Sequence, residues 1–476
     1  MSFKALIAEP SSLILINSSG NTSFSHFVLM KKIVLLSLAA TLTLFSCQEA
    51  PTSESAFTPS TLPQWAEQAN IYEVNVRQFT DEGTLQAFQT HLPRLKELGV
   101  DILWFMPIQP IGELYRKGAL GSYYSISDYT AVHEDYGTLE DFQSIVEQAH
   151  SLGMKVILDW VANHTAFDHN WVSDHPHFYT ADSAGNYPIV AVDNDGTPTD
   201  WTDVADLNYE AEGMRQAMIG EMNWWLENAD IDGFRCDVAG FVPYDFWKTA
   251  INDLRENHDS IFMLAEWEDP ALMDVGFNAV YGWEFHHLLN ELAQGKMNVS
   301  ALAEYADKCD TLWPKETMKM YFTTNHDENT WNGTVSQRMG KLGKAMFVLS
   351  SMMERSLPLV YTGQEAGLNH QFPFFTKDTV GIDWSITHPD AYFFAEMMSL
   401  KHNHVALSNG ADGRDMELQI DTASNSAMIT RGKEGTSDQV VAIFQFSEDP
   451  PVYSAPSELE EVIAVAGARV YAAKRD

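Results

Sequence analysis

Ile231-Asp-Gly-Phe-Arg-Cys-Asp237 decides the reading of this chain. A short apolar run closes on an acid, and the same pattern recurs in Ile261-Phe-Met-Leu-Ala-Glu266 and Met320-Tyr-Phe-Thr-Thr-Asn-His-Asp327. Charged side chains at the ends of buried strands are costly to place without use. Three such acids, in a chain of alternating strand and helix signals, predict a shared pocket at the C-terminal mouth of a (β/α)8 barrel.

Working outward, strands are expected at 71–76, 101–106, 156–160, 233–237, 262–266, 279–281, 320–324 and 357–361. Helical apolar spacing marks 85–98, 139–152, 214–228, 246–257, 342–355 and 391–402, with Gly99 and Gly153 as C-caps. These eight steps place a TIM barrel over 65–404, in the α/β class. The polar run 165–206 is too long for an ordinary βα loop and reads as a small inserted domain after strand three. The tail 405–476 carries strand-like segments such as 440–444 and 470–473 and reads as a C-terminal β-sandwich.

The formal net charge of −37 excludes a nucleic-acid footprint, which must be basic, and suits an exported protein with a neutral substrate. Thirteen Trp offer flat faces suited to a sugar ring, although core packing accounts for most Trp in a chain this size. Residues 1–46 read as a signal segment. Met30-Lys31-Lys32 is a basic region, translation is expected to start at Met30, and the apolar run 33–46 is short for a membrane span. Leu44-Phe45-Ser46-Cys47 resembles a bacterial lipobox, which implies a lipid anchor on Cys47 and a periplasmic or cell-surface lipoprotein. A Ser-, Thr- and Pro-rich linker, 47–64, would space the body from the membrane. The remaining Cys236 and Cys309 have no metal-like spacing, and Cys236 should point away from the pocket into the core.

Over 68–401 the chain resembles the α-amylase superfamily of glycoside hydrolases. Asp159-Trp-Val-Ala-Asn-His164, Gly233-Phe-Arg-Cys-Asp237, Glu266 and Asn325-His-Asp327 resemble its four main signatures, in order. Asp206-Leu-Asn208, Gly121-Ser-Tyr-Tyr124 and Tyr361-Thr-Gly-Gln-Glu365 match further expected positions. Together these are far more specific than any one short match. The resemblance implies Asp237 as nucleophile, Glu266 as acid/base and Asp327 as transition-state stabiliser. It implies His164 and His326 as hydrogen-bond donors to the sugar, and Tyr124 as the platform beneath it.

A retaining glycosidase needs such a carboxyl pair, about 5–5.5 Å apart, one attacking and one donating a proton. Arg235 lies two residues before Asp237, so strand geometry points both side chains the same way, and its charge would keep Asp237 ionised. Asp159 reads as structural support that orients Arg235. Trp160, Trp201, Trp267 and Trp331 could line subsites or pack the core and rim.

Asn163 is a calcium ligand in many relatives, which makes calcium a possible cofactor. The acidic turn Asp193-Asn-Asp195-Gly196 could also hold calcium or be a solvated turn. Where many α-amylases carry Lys-His after the nucleophile, this chain has Ala239-Gly240. That places it between α-amylase and neopullulanase or cyclomaltodextrinase types. The expected function is hydrolysis of α-1,4-glucosidic bonds in starch-like glucans or maltooligosaccharides. Alternatives are a cyclomaltodextrinase or neopullulanase activity, a transglycosylase or isomerase of the same fold, and a non-catalytic glucan binder. Asp237, Glu266 and Asp327, all present, argue against the last. Oligomeric state is not legible in the sequence.

Overall fold

The structure, a computed structural model, describes residues 62–473 apart from 259, 411–412, 414 and 447–452. The expected signal segment, the Cys47 anchor and most of the linker lie outside the described residues. Ten strands precede the terminal sheet. They are β1 (Ile71–Val74), β2 (Ile102–Phe105), β3 (Lys155–Trp160), β4 (His164–Ala166), β5 (Val204–Asp206), β6 (Gly233–Cys236), β7 (Phe262–Ala265), β8 (Ala279–Tyr281), β9 (Met318–Tyr321) and β10 (Ser356–Tyr361). All but β4 and β5 close into a parallel barrel in the order β1-β10-β9-β8-β7-β6-β3-β2.

The period-two alternation of a strand sorts the barrel residues into two sets. Ile71, Ile102, Trp104, Ile157, Phe262, Leu264, Tyr281 and Leu359 fill the interior cluster. Tyr72, Leu103, Phe105, Leu158, Trp160, Phe234, Cys236 and Ala265 join the second cluster, under the helices. Cys236 is therefore core, as strand parity requires. Gly233 has φ 146°, and a Cβ there would collide with the Phe262 backbone, so glycine lets β6 and β7 meet.

Several elements differ from expectation for identifiable reasons. Val76 begins the helix Val76–Phe79 rather than ending β1. The helix expected over 85–98 is two, Leu85–Gln89 and Leu92–Leu98, and Pro93 sits in the first turn of the second. Strand β9 lies earlier than 320–324, because the Phe322 and Thr323 carbonyls face His286 and Arg338 instead of a neighbouring strand. The segment inserted after β3 opens and closes at one place, since β4 pairs antiparallel with β5 and sets His164 opposite Asp206.

The C-terminal strands are β11 (Met416–Asp421), β12 (Ser426–Arg431), β13 (Val440–Gln445), β14 (Leu459–Val465) and β15 (Ala468–Ala473). They form one antiparallel sheet, ordered β11-β12-β13-β15-β14, so the second layer of the expected sandwich is not a sheet among the described residues. The helix Gly343–Met352 stands in its place: Ala442, Phe444 and Val470 join the barrel's cluster, and Gly467 meets Leu342 and Ala345.

Lys401 pins this junction. Its buried ammonium donates to Ser356 O at 3.1 Å, Leu407 O at 2.7 Å and Asn409 Oδ1 at 2.8 Å. Asn409 in turn donates to Ala66 O and Ala69 O, beside β1. Lys401→Met keeps the apolar stem but orphans three acceptors. It should lower stability by about 2–3 kcal/mol, read as a drop in the urea midpoint with an unchanged slope.

Candidate active site

On several barrel strands the inward set ends in polar residues at the C-terminal mouth. Register places Glu73 beside Trp104 and Tyr361, and Asp159 beside Arg235. Asp237 and Glu266 extend the ladder by one step, since Asp237 N donates to Trp160 O and Glu266 N donates to Cys236 O, each at 2.9 Å.

Arg235 is wholly buried at the centre. Its Nη1 donates to Asp159 Oδ1 at 2.9 Å and to Asp237 Oδ1 at 3.0 Å, and its Nε donates to Tyr281 Oη at 3.0 Å. Its Nη2 lies 3.0 Å from Glu266 Oε2 without hydrogen-bond alignment. Trp104 lies under the guanidinium, 4.9 Å away, and donates through Nε1 to Asp159 Oδ2. One cation thus faces three carboxylates, and full ionisation would leave two uncompensated charges in a buried pocket. Burial pushes Asp159 up to about 6 against the pull of Arg235. Burial and the charge of Glu266 also push Asp237 up, again opposed by Arg235. The set therefore retains a proton that its members share.

Val238 follows Asp237 with φ 35° and ψ 47°, a left-handed conformation rare for a β-branched residue. This turns its N–H onto Glu266 Oε2 at 2.8 Å. A strained backbone here fixes one carboxylate from the strand that bears the other.

A second group of polar residues abuts the first through Tyr124. Its hydroxyl is 3.2 Å from Asp159 Oδ2 and 2.8 Å from His326 Nε2, and its ring stacks on His326 and Phe374. His326 Nδ1 meets Glu73 Oε1 at 2.6 Å, and His326 Nε2 lies 3.4 Å from Asp327 Oδ2. Asp327 also accepts from Trp331 Nε1 at 3.2 Å. It starts a π-helical turn, Glu328–Asn332, of a kind found mostly at functional sites. Glu328 locks that turn, pairing with His286 Nε2 at 3.1 Å and accepting from Asn332 Nδ2 at 2.9 Å. Burial alone would raise Glu328, but His286 and Arg338 hold it at about 2.

His164 stands apart from these contacts. It packs 5.5 Å from Trp201, and burial pushes its pKa down to about 3, so it is a neutral donor or acceptor. Trp201, Phe241 and Trp267 continue as a half-buried aromatic row beside Glu266. Gly240 lies so close to Trp267 that a Cβ would collide with the indole. Trp160, by contrast, is wholly buried against Tyr129 and Phe234 and is core.

Asn163 is tied to the inserted segment, its carbonyl accepting from Leu207 N and its Nδ2 lying 3.2 Å from His164 Nδ1. Among the described residues no group of three or more His, Cys, Asp or Glu could hold a metal ion. The turn at Asp193 is exposed, its carboxylates accepting from the Asp195 and Thr197 amides.

Glu73, Trp104, Tyr281 and Glu328 were not legible in the sequence as site residues. Glu73 alone left a trace, as an acid inside the apolar run 71–76.

Against this geometry, comparison with known proteins is direct. The α-amylase catalytic-domain model matches residues 55–431, and the chain belongs to that family. An α-amylase, MalA, of Haloarcula japonica is 26% identical over 419 residues, covering 86% of this chain and 60% of the relative. The chain thus spans under two thirds of that relative's length. An α-amylase structure from Lactobacillus plantarum superposes with TM-score 0.73 at 29% identity, covering 85% of this chain and 97% of that one. A maltogenic α-amylase, AmyB, of Thermotoga neapolitana gives 0.70 at 26% identity, covering 80% and 86%.

The Glu328 clamp generates a pH-dependent expectation. A carboxylate depressed from 4.5 to about 2 adds stability above pH 4.5 that is lost as pH falls toward 2. Glu328→Gln should lower stability at pH 7 by about 2–4 kcal/mol, a penalty that shrinks below pH 4.5. Denaturant titrations at pH 7 and at pH 4 check the sign.

Proposed function

We propose that this chain is a retaining glycoside hydrolase acting on α-1,4-glucosidic bonds of starch-like glucans or maltooligosaccharides. The observation that carries the reading is the single guanidinium of Arg235 held against both Asp237 and Glu266. A double displacement needs one carboxylate charged and one carboxyl protonated, side by side. Arg235 donates a well-formed hydrogen bond to Asp237, which favours charge there, while its approach to Glu266 is out of line. This reading, following the resemblance, gives the nucleophile's role to Asp237 and the proton donor's to Glu266.

In this reading Asp237 Oδ attacks the anomeric carbon as Glu266 protonates the departing glycosidic oxygen. The resulting glycosyl ester is hydrolysed when Glu266, now charged, takes a proton from water. Asp327, positioned by Trp331, offsets positive charge developing on the sugar, and Tyr124 lies beneath the ring. Asp159 serves by orienting Arg235. His164 is a neutral partner for a sugar hydroxyl. The Trp267 and Phe241 faces, beside Ala239-Gly240 where many α-amylases carry Lys-His, favour an acceptor sugar and support transglycosylation as a second outcome of the same intermediate. The lipid anchor and exported location rest on the Cys47 segment and remain part of the proposal.

Asp237→Asn should abolish turnover of maltoheptaose while ligand binding by calorimetry persists. Glu266→Gln should lower kcat on the same substrate by about 10²–10⁴-fold, with a much smaller loss on an aryl glycoside whose leaving group needs no proton. Equal losses on both substrates would remove Glu266 from the acid role.

A further inference from the structure

Glu73 is a wholly buried carboxylate on β1, paired in register with Trp104 of β2 and Tyr361 of β10, and the scheme above gives it no role. Its Oε1 sits 2.6 Å from His326 Nδ1 and also accepts from the His326 backbone N–H at 3.3 Å. Its Oε2 is buried with no hydrogen-bond partner. His326 is thus gripped from behind by an acid, while its Nε2 faces Tyr124 Oη and Asp327 Oδ2.

We propose that Glu73 is a positioning residue that keeps His326 doubly protonated and directs its Nε2–H into the sugar pocket. This rests on the glycosidase reading above. A carboxylate at hydrogen-bond distance from Nδ1 fixes a proton there, which leaves Nε2 to carry the second one outward. The Tyr124 hydroxyl accepts that Nε2–H and donates its own to Asp159 Oδ2, so donation runs outward from His326, to Glu73 on one side and through Tyr124 to Asp159 on the other.

The charged groups around the imidazole support this state. Burial works against the imidazolium, Asp327 and then Glu73 favour it, and Arg235 opposes it, for a net rise to about 9. Asp159, on β3, also faces His326. On the Glu73 side, burial raises the carboxyl while His326 and Arg235 lower it, and Tyr361 of β10 and Tyr281 of β8 are close enough to feel its charge. An imidazolium fixed at this place holds Tyr124 and Asp327, the two groups that face the sugar, through charge-assisted contacts at its Nε2.

The test is nitrogen NMR of the full chain with labelled histidine, His326 being assigned by the signal lost in His326→Gln. Both ring nitrogens of His326 should stay protonated from pH 6 to pH 8 in the wild type. In Glu73→Gln at least one should lose its proton within that range. On maltoheptaose the variant's kcat should fall about 10²-fold with KM nearly unchanged, and its alkaline limb should move to lower pH. A neutral His326 at pH 7 in the wild type overturns the proposal without any variant, which guards against a poorly folded Glu73→Gln. So does a Glu73→Gln enzyme with unchanged His326 protonation and pH profile. If instead Asp237→Asn remains fully active, the glycosidase reading fails while the NMR result still stands on its own.

Discussion

Everything at the mouth of the barrel depends on one buried cation serving three carboxylates. Arg235 is fully enclosed, and a guanidinium in that position is tolerable only if nearly every N–H finds an oxygen. Asp159, Asp237 and Tyr281 take its aligned donors, Trp104 covers its face, and Glu266 lies at its edge. A lysine has a single point of charge and could not reach three strands at once. The arrangement couples strands β3, β6, β7 and β8 electrostatically as well as through the ladder. The proton chemistry of the site is then a property of the set rather than of any one acid.

Two pieces of irregular backbone complete what the guanidinium begins. Val238 leaves β6 in a left-handed turn and aims an amide at Glu266. Asp327 leaves β9 into a wide π-helical turn that brings Trp331 back onto its own carboxylate. Regular strands end where their ladder ends, and functional side chains need a further adjustment of direction. Both irregularities lie one residue or less beyond an acid that sequence reading had singled out.

Much of this was legible beforehand. The barrel follows from repeated apolar runs, and Cys236 facing the core and Arg235 facing Asp237 follow from strand parity. What was not legible depended on contacts between distant segments. Glu73 looks like an ordinary strand residue until His326, 253 positions away, comes to lie on it. Tyr281 and Trp104 carry no local signal because an aromatic in a strand is first of all core. The β9 boundary was misplaced because Phe322 and Thr323 are strand formers whose carbonyls are claimed by His286 and Arg338. The terminal sheet resembled half of a sandwich because a strand pattern records that a face is covered, not what covers it.

The antiparallel pairing of β4 with β5 has a consequence for how such a chain can diversify. His164 and Asp206 are locked opposite each other, so the excursion between them is stitched shut at its base. Its two turns, around Asp182 to Asn186 and Asp193 to Thr197, are exposed, while Ile189 to Val192 between them pairs with β5. Length and composition can drift at those two turns without disturbing the stitch. The segment behaves as a cassette whose turns can vary while the barrel and its charge cluster stay untouched.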